Sequence, residues 1–475
     1  MKNKLLKISF ILLSILLVVP SFIYIINNRT LINFDIYFNF FLNENVNKII
    51  ATITFLILFL ILFVIYILII KKNVLKNIKQ VLIFVSIISI IFLFMLPWTS
   101  SDVFYYMGVG ELDGIYGQNP YYITMRNFYY ANQDKINDEI LEKGAANAWS
   151  DTTVVYGPVS QIIFKICSIL SFKSVDIAII IFKLLNLLIH VLCCYLIYKI
   201  TNKRIFAIIY GLNPFILIEF LGNVHNDIIM VFVILLSLYF LLRKKNLALS
   251  VILLAIATGI KYFSILLLPL IIIYHVKQEK KISKRIFKCI LYGLLFIIVL
   301  GLIYAIYYKD VEILKSMFAQ TNKYSRSIYS VIYQINPAII KIVKISLYTL
   351  FILYYLKFCI DLLTDKNIKF NYYIIRYNRV IILFSFLLGT FQIWYILWLF
   401  ATFMWQRPNM IKNIIGITLI AELATSIYMF TSENYIYDKY FIEVIIVLLL
   451  MWQIFTNKRL KNNSKFNPFP TRFAS

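Results

Sequence analysis

Apolar residues run along this chain in blocks of about 20, separated by short polar clusters rather than alternating with polar positions. The blocks fall at roughly 5–26, 49–70, 80–98, 176–199, 205–220, 223–242, 247–275, 286–307, 342–360, 379–405, 411–430 and 437–455. A helix rises about 1.5 Å per residue, so such a block is long enough to cross a hydrocarbon core of about 30 Å. Inside that core the backbone must satisfy its own N–H and C=O groups, which makes helices the spanning form here. The pattern predicts an all-α polytopic integral membrane protein. The first block carries Lys2, Lys4 and Lys7 and is followed by no small-residue cleavage site. It reads as a retained span, not a removed leader.

Hydropathy does not orient the spans; charge does. Basic residues cluster at Lys71, Lys72, Lys76 and Lys79, at Lys199, Lys203 and Arg204, at Arg243, Lys244 and Lys245, and most densely from Lys277 to Lys288. Loops of this kind face the cytoplasm. Residues 99–154 behave oppositely, with Asp102, Glu111, Asp113, Asp134, Asp138, Glu139, Glu142 and Asp151 against only Arg126, Lys135 and Lys143. They belong outside. The expected organisation is one transmembrane domain over 1–455, with an outer loop at 99–175 and a basic cytoplasmic tail at 456–475. Both termini would be cytoplasmic, in a multi-pass protein of the cell membrane.

Basic loops flank both 247–275 and 379–405, so each block must enter and leave on the same side. Each is therefore expected to be a pair of shortened helices with an outward-facing break, at "ATGIKYF" (257–263) and "GTFQIWY" (389–395). Exposed backbone at such breaks needs cover from protein or a wet cavity. The count becomes about 12–14 transmembrane helices. The segment 155–172 would upset the alternation as a span and is expected to lie along the outer interface.

Composition removes other classes. The 475 residues are 61% hydrophobic with a mean hydropathy of +0.83, more apolar surface than a soluble domain hides. The net charge of +25 sits in loop clusters facing anionic lipid, so nucleic acid is not the expected partner. The five cysteines are odd in number and lack metal-ligand spacing, and they read as packing residues.

Several polar stretches then fall on the outer side. In "SSDVFYYMGVG", Asp102, Tyr105, Tyr106 and Val109 share one helical face, with Ser100 or Ser101 as a cap. Asp102 could equally be a helix-start residue at a water boundary. In "NPFILIEFLGNVHNDIIM", Glu219, Asn223, His225, Asn226 and Asp227 gather at a turn between apolar blocks. A plain polar turn accounts poorly for Glu219, which falls near the end of an apolar block, where a charge is costly without a partner. His190 and His275 read as structural. Lys261, at the first break, either meets an anionic headgroup or snorkels. Gln392, Trp394, Tyr395 and Trp398 offer stacking faces and hydrogen bonds for a sugar, although interfacial aromatic belts look alike. Arg326 is a further outer cation, and no role is evident for Glu422 or Glu443.

Taken in order, "SSDVFYYMGVG…YGQNPY", "VYGPV", "NPFILIEFLGNVHNDIIM", "TGIKYFSILLLP" and "FQIWYILW" resemble landmarks of polyprenol-phosphate-mannose-dependent α-1,6-mannosyltransferases, over roughly residues 97–400. These belong to the lipid-linked-sugar glycosyltransferases with the GT-C fold. The resemblance implies a GT-C-like bundle whose outer loop carries interfacial helices, with Asp102 as catalytic base. It implies a polyprenyl-phosphate-sugar donor and a glycan or glycolipid acceptor. On this reading Lys261, His225 and Arg326 are the candidates for the donor phosphate. Tyr105, Tyr106, Asn119, Tyr156, Glu219, Asn223, Asn226, Asp227, Gln392, Trp394 and Tyr395 are those for the substrate. Two extra blocks precede the loop, and no large soluble domain follows the last block, which depart from the simplest GT-C layout.

The expected reaction is inverting transfer of a sugar, mannose by resemblance, outside the membrane. No cofactor is expected. A divalent ion held by Asp102 with Glu219 or Asp227 is a less favoured arrangement, because no octahedral oxygen set is visible. The alternative class is a transporter or flippase of a lipid-linked sugar, since broken helices and midplane charges also mark transporters. The absence of clear repeated halves and the one-sided acidic loop weigh against it. A ligase for diphosphate-linked glycans would share much of the layout.

Overall fold

The computed structural model describes residues 2–28, 45–97, 100–147, 149–311, 313, 324, 327–365 and 369–430. Arg326, Glu443, the block 437–455 and the tail lie outside the described residues. Among the described residues the elements are helical, with no strand. Five helices among the described residues are long and apolar enough to cross a membrane, or six if one bent pair counts as a single span. Shorter apolar helices fill several of the remaining blocks, among them Ile78–Phe92 and Leu247–Thr258. The protein is a polytopic all-α membrane protein.

The described residues within Met1–Ile229, Ile306–Ala319 and Thr425–Ser432 form one compact unit. It begins with α1 (Lys2–Asn28), α2 (Asn45–Lys71) and α3 (Ile78–Phe92), followed by the shorter helices α4 (Asp102–Gly114), α5 (Met125–Asn132), α6 (Glu139–Ala145) and α7 (Pro158–Ile169). The long span α8 (Val175–Thr201), α9 (Arg204–Gly211) and α10 (Pro214–Gly222) complete it. Local chemistry sets the boundaries. Asn77 caps α3 by accepting from Gln80 N at 2.9 Å, and Asp138 caps α6 by accepting from Leu141 N at 3.0 Å. Proline opens α7 and α10, where its missing N–H costs nothing. Asn202, at φ +56°, ends α8 in the left-handed conformation that Asn tolerates.

Within this unit α4 is almost wholly enclosed. Every residue from Asp102 to Asp113 is buried, because α6, α7 and α8 all pack on it. Glycine permits the approach. A Cβ on Gly110 would lie 2.4 Å from the Phe164 carbonyl oxygen of α7, and one on Gly144 would lie 2.9 Å from Gly108 Cα. The segment 155–172 contains α7, whose Ile166 and Ile169 remain exposed together with Leu170 just beyond its end. Tyr307 donates to Asp113 at 2.6 Å and accepts, through its carbonyl, from Asn119 at 2.8 Å, tying the end of the eighth block to the segment that follows α4.

The described residues within Met230–Ala305 and Gln320–Ala424 form the other unit. It takes α11 (Asp227–Leu242) from Met230 onward, α12 (Leu247–Thr258), a 3₁₀ segment Tyr262–Leu267 with α13 (Leu268–Val276), α14 (Ile282–Ala305), α15 (Ile328–Ile335), α16 (Ile340–Thr364), α17 (Phe370–Phe386) and α18 (Pro408–Phe430) as far as Ala424. The break expected at 257–263 is present, between α12 and the 3₁₀ segment. The block 379–405 differs from the expected pair of short α-helices. Here α17 stops at Phe386, and after the break the chain continues in 3₁₀ form over Ile393–Ala401 and Phe403–Trp405. The helix α14 keeps Ile286, Ile290, Ile297, Ile298 and Leu302 exposed, a stripe suited to lipid rather than water.

Candidate active site

The site residues of the first unit meet where α4 begins and the block 205–220 breaks. That block is not one helix. Asn213 caps Pro214 onward by accepting from Phe215 N at 3.1 Å, and α9 and α10 are bent by 53°. The second half winds as a π-turn over Leu217–Gly222, a widened geometry often found at functional sites. The next residue but one, Val224, sits at φ +64°. A β-branched side chain in that region costs about 1–2 kcal/mol, so the surroundings must hold it. The backbone does so locally: Asn223 N donates to Ile218 O at 2.8 Å, and His225 N to Glu219 O at 3.1 Å. The strain turns His225 back toward the helix that carries Glu219.

Glu219, His225 and Asp102 then stand in a row. His225 Nε2 lies 3.0 Å from Glu219 Oε2, and Nδ1 lies 3.5 Å from Asp102 Oδ2. Asn223 Nδ2 donates to the same Glu219 Oε2 at 3.1 Å. Tyr106, one turn along α4, places its hydroxyl 3.3 Å from Asp102 Oδ2 and 3.5 Å from Asn226 Oδ1. Asn226 in turn donates to Ser160 Oγ of α7 at 3.5 Å. Of the three charged groups, only Asp102 reaches solvent. Its side chain is 12% exposed, whereas those of Glu219 and His225 are 1% and 0%. Asp102 is also not the helix cap: Ser101 holds that position, and Ser100 Oγ accepts from Asp102 N at 3.3 Å.

Aromatic rings form one wall. Tyr106 stacks on Phe164 at 4.6 Å and meets Tyr156 edge-on at 5.5 Å, and Tyr105 is tilted against Tyr156 at 6.4 Å. Asn119 is committed elsewhere, bracing the loop through Tyr307 O and its own turn at Tyr121 N. Asp227 is buried at the start of α11.

A second polar group, not singled out from the sequence, supports this turn from the long span α8. Lys183 Nζ donates to Met95 O at 2.6 Å, Leu221 O at 2.7 Å and Gly222 O at 3.0 Å. An ammonium has three protons, and all three are used. Asn186 donates to Phe220 O at 2.8 Å and His225 O at 3.4 Å, and His190 Nε2 lies 3.1 Å from Gly211 O. Residues 183, 186 and 190 share one face of α8, and together they satisfy carbonyls that the broken block leaves without helical partners. Their i, i+3, i+7 spacing inside an apolar block was the signal available in the sequence. The structural reading of His190 agrees with its place in this stripe.

In the other unit, Lys261 precedes the 3₁₀ segment and lies over the rings of Tyr395 at 5.1 Å and Trp398 at 5.7 Å. Tyr395 and Trp398 stack at 4.1 Å, and Phe263 stacks on Trp398 at 3.9 Å. Gln392 and Trp394 are buried beside them in sequence. The two breaks in this unit are therefore joined by a cation and a ring stack. Glu422 is buried within α18.

A protein-family comparison supplies the class. Residues 12–277 match the family described as alpha-(1->6)-mannopyranosyltransferase, N-terminal domain. The chain belongs to this family. The match takes in α4, the π-turn, His225 and Lys261, so the mannosyltransferase assignment covers every element that builds the Asp102 cluster. No curated protein and no solved structure matches the chain. The protein is thus a membrane glycosyltransferase of the mannosyltransferase type.

Proposed function

We propose that this mannosyltransferase moves a mannosyl group from a polyprenyl phosphate to a hydroxyl of a glycan or glycolipid, on the extracytoplasmic side of the cell membrane. Transfer occurs in one displacement with inversion, and Asp102 is the base. One observation carries the reading. Of the two carboxylates flanking His225, Asp102 alone reaches solvent, and it does so from the start of a helix buried on all sides. A base needs both features: access to the acceptor and a fixed direction.

Proton removal from the acceptor hydroxyl accompanies attack on the anomeric carbon. Positive charge grows on the sugar, as in other glycosyl transfers. Negative charge grows on the departing phosphate, which favours a fixed cation. Lys261, held over two ring faces, is the proposed partner of that phosphate. The rings of Tyr105, Tyr106 and Tyr156 suit the apolar faces of a sugar, and Asn226 suits its hydroxyls. Tyr395, Trp394 and Gln392 are proposed for the donor.

Purified protein given labelled polyprenyl-phosphate mannose and a membrane extract should form a new labelled glycoside. Asp102→Asn should lower the rate by about 10²–10⁴, the contribution expected of a general base. Lys261→Gln should raise the KM for the lipid donor. Full turnover by Asp102→Asn at normal expression would remove the base assignment. Equal turnover with a nucleotide-linked mannose and no lipid would remove the donor assignment.

A further inference from the structure

A single imidazole separates the solvent-reaching carboxylate from a fully buried one. His225 turns Nε2 to Glu219 at 3.0 Å and Nδ1 to Asp102 at 3.5 Å. Each ring nitrogen thus faces a carboxylate oxygen, an arrangement that the doubly protonated ring matches on both sides and a neutral imidazole, with one N–H, matches on only one. The ring is held from several directions. Asn223 pins Glu219 at Oε2 over 3.1 Å, Asn186 accompanies the His225 carbonyl at 3.4 Å, and the strained Val224 fixes the approach at φ +64°. Both contacts to Asp102, from His225 and from Tyr106, fall on Oδ2.

We propose that Glu219 and His225 are positioning residues for sugar transfer: Glu219 holds His225 as an imidazolium, and the imidazolium, facing Oδ2 of Asp102, leaves Oδ1 turned toward the acceptor hydroxyl. The inference rests on Asp102 being the base. In the step itself, the acceptor oxygen bonds to the anomeric carbon while the bond from that carbon to the lipid-phosphate oxygen breaks. The phosphate oxygen keeps the electron pair, and the acceptor proton moves to Asp102. Asp102 passes it to water after product leaves. His225 keeps both its protons throughout, so the site changes by one proton at one atom.

A carboxylate beside a fixed cation stays ionised to lower pH, and a cation beside a fixed carboxylate stays charged to higher pH. The titratable groups against the ring are Asp102 of α4 and Glu219 of the π-turn, with Tyr106 on Asp102 and Asp227, at the start of α11, acting on Tyr106. Lys183 of α8 is also near, on the carbonyls of Leu221 and Gly222. Lys183 and Asp227 are left unchanged in the test, so their contribution is common to all variants.

The test is the initial rate of mannosyl transfer against pH in purified full-length protein, with lipid donor saturating. His225→Gln should move the acid limb of the profile upward by about one pH unit or more, the scale of a lost neighbouring charge. Glu219→Gln should leave the acid limb in place and move the alkaline limb downward by a similar amount, and Glu219→Asp should bring that limb back toward wild type. Donor KM should change little in all three. A rate lowered evenly at every pH, with both limbs at their wild-type positions, would overturn the inference and leave these residues structural. If Glu219→Gln does not elute as folded protein, the His225→Gln and Glu219→Asp profiles decide alone. Asp102→Asn separates the two levels: turnover by that variant defeats the base reading, whereas an inactive Asp102→Asn beside unmoved limbs defeats only this inference.

Discussion

The ammonium of Lys183 donates to the carbonyl of Leu221 over 2.7 Å, joining the middle of a long apolar span to the π-turn that carries Glu219. The contact explains how a lysine is accommodated in such a span, and how a helix can break next to the candidate base without stranding its carbonyls. Polar backbone left bare away from water costs several kcal/mol per group. The stripe of Lys183, Asn186 and His190 removes that cost and fixes where the turn lies.

Replacing Lys183 by Met therefore leaves the carbonyls of Met95, Leu221 and Gly222 without this donor. The expected loss is about 1–3 kcal/mol for each buried group left unsatisfied. Thermal unfolding of the detergent-solubilised protein should show a clear fall in Tm. Transfer activity should fall with it, because the same carbonyls belong to the turn that presents His225. A Lys183→Met protein with unchanged Tm would show that water takes over the ammonium's role.

Close helix approach makes a second expectation. Gly110→Ala places a methyl group 2.4 Å from a backbone oxygen of α7, which cannot rotate aside. Overpacking of this kind costs about 1–3 kcal/mol, and the shift moves α4, which carries Asp102. Gly293→Ala, in α14 where nothing lies within 4 Å, is the control. It should be neutral, or stabilising by up to about 1 kcal/mol through helix propensity. Melting curves of the two variants beside wild type check the contrast.

The segment between α3 and α8 carries a pH-dependent term. Glu111 of α4 is fully buried, and burial, followed by the nearby Asp138 carboxylate, pushes its carboxyl up from 4.5 to about 8. Between those values the folded protein holds a proton that the unfolded chain releases, so stability falls as pH rises through this window. Above about pH 8 the full penalty is present. Glu111→Gln removes the titration. The variant should melt above wild type at pH 8–9, with the gap closing toward pH 4.5, in thermal scans at several pH values. A gap independent of pH would mean that Glu111 does not titrate in this window.

The legible part of the chain was the part written in one dimension. Blocks of apolar residues announced the helices, basic clusters implied an orientation, and "ATGIKYF" announced a break that the structure contains. Asp102 and the Glu219–Asp227 stretch stood out because charges are scarce near such blocks. The break within 205–220 was harder to read, since Asn213–Pro214 sits in an otherwise unbroken apolar run. Lys183 was passed over for the same reason: one lysine does not change the hydropathy of a long block.

By itself, then, the sequence determined an all-α membrane protein and a short set of charged residues worth attention, because hydrophobic burial acts on every residue additively and shows up as local composition. Only the tertiary structure decided that Glu219 and Asp102 share one imidazole, and that Lys183 supports the turn between them. Hydrogen bonds and ion pairs are directional and act over about 3 Å, so a few degrees of helix bend decide which distant residues meet. Asn213–Pro214 marks where the bend falls, but its 53° angle and the positive φ of Val224 appear only in three dimensions.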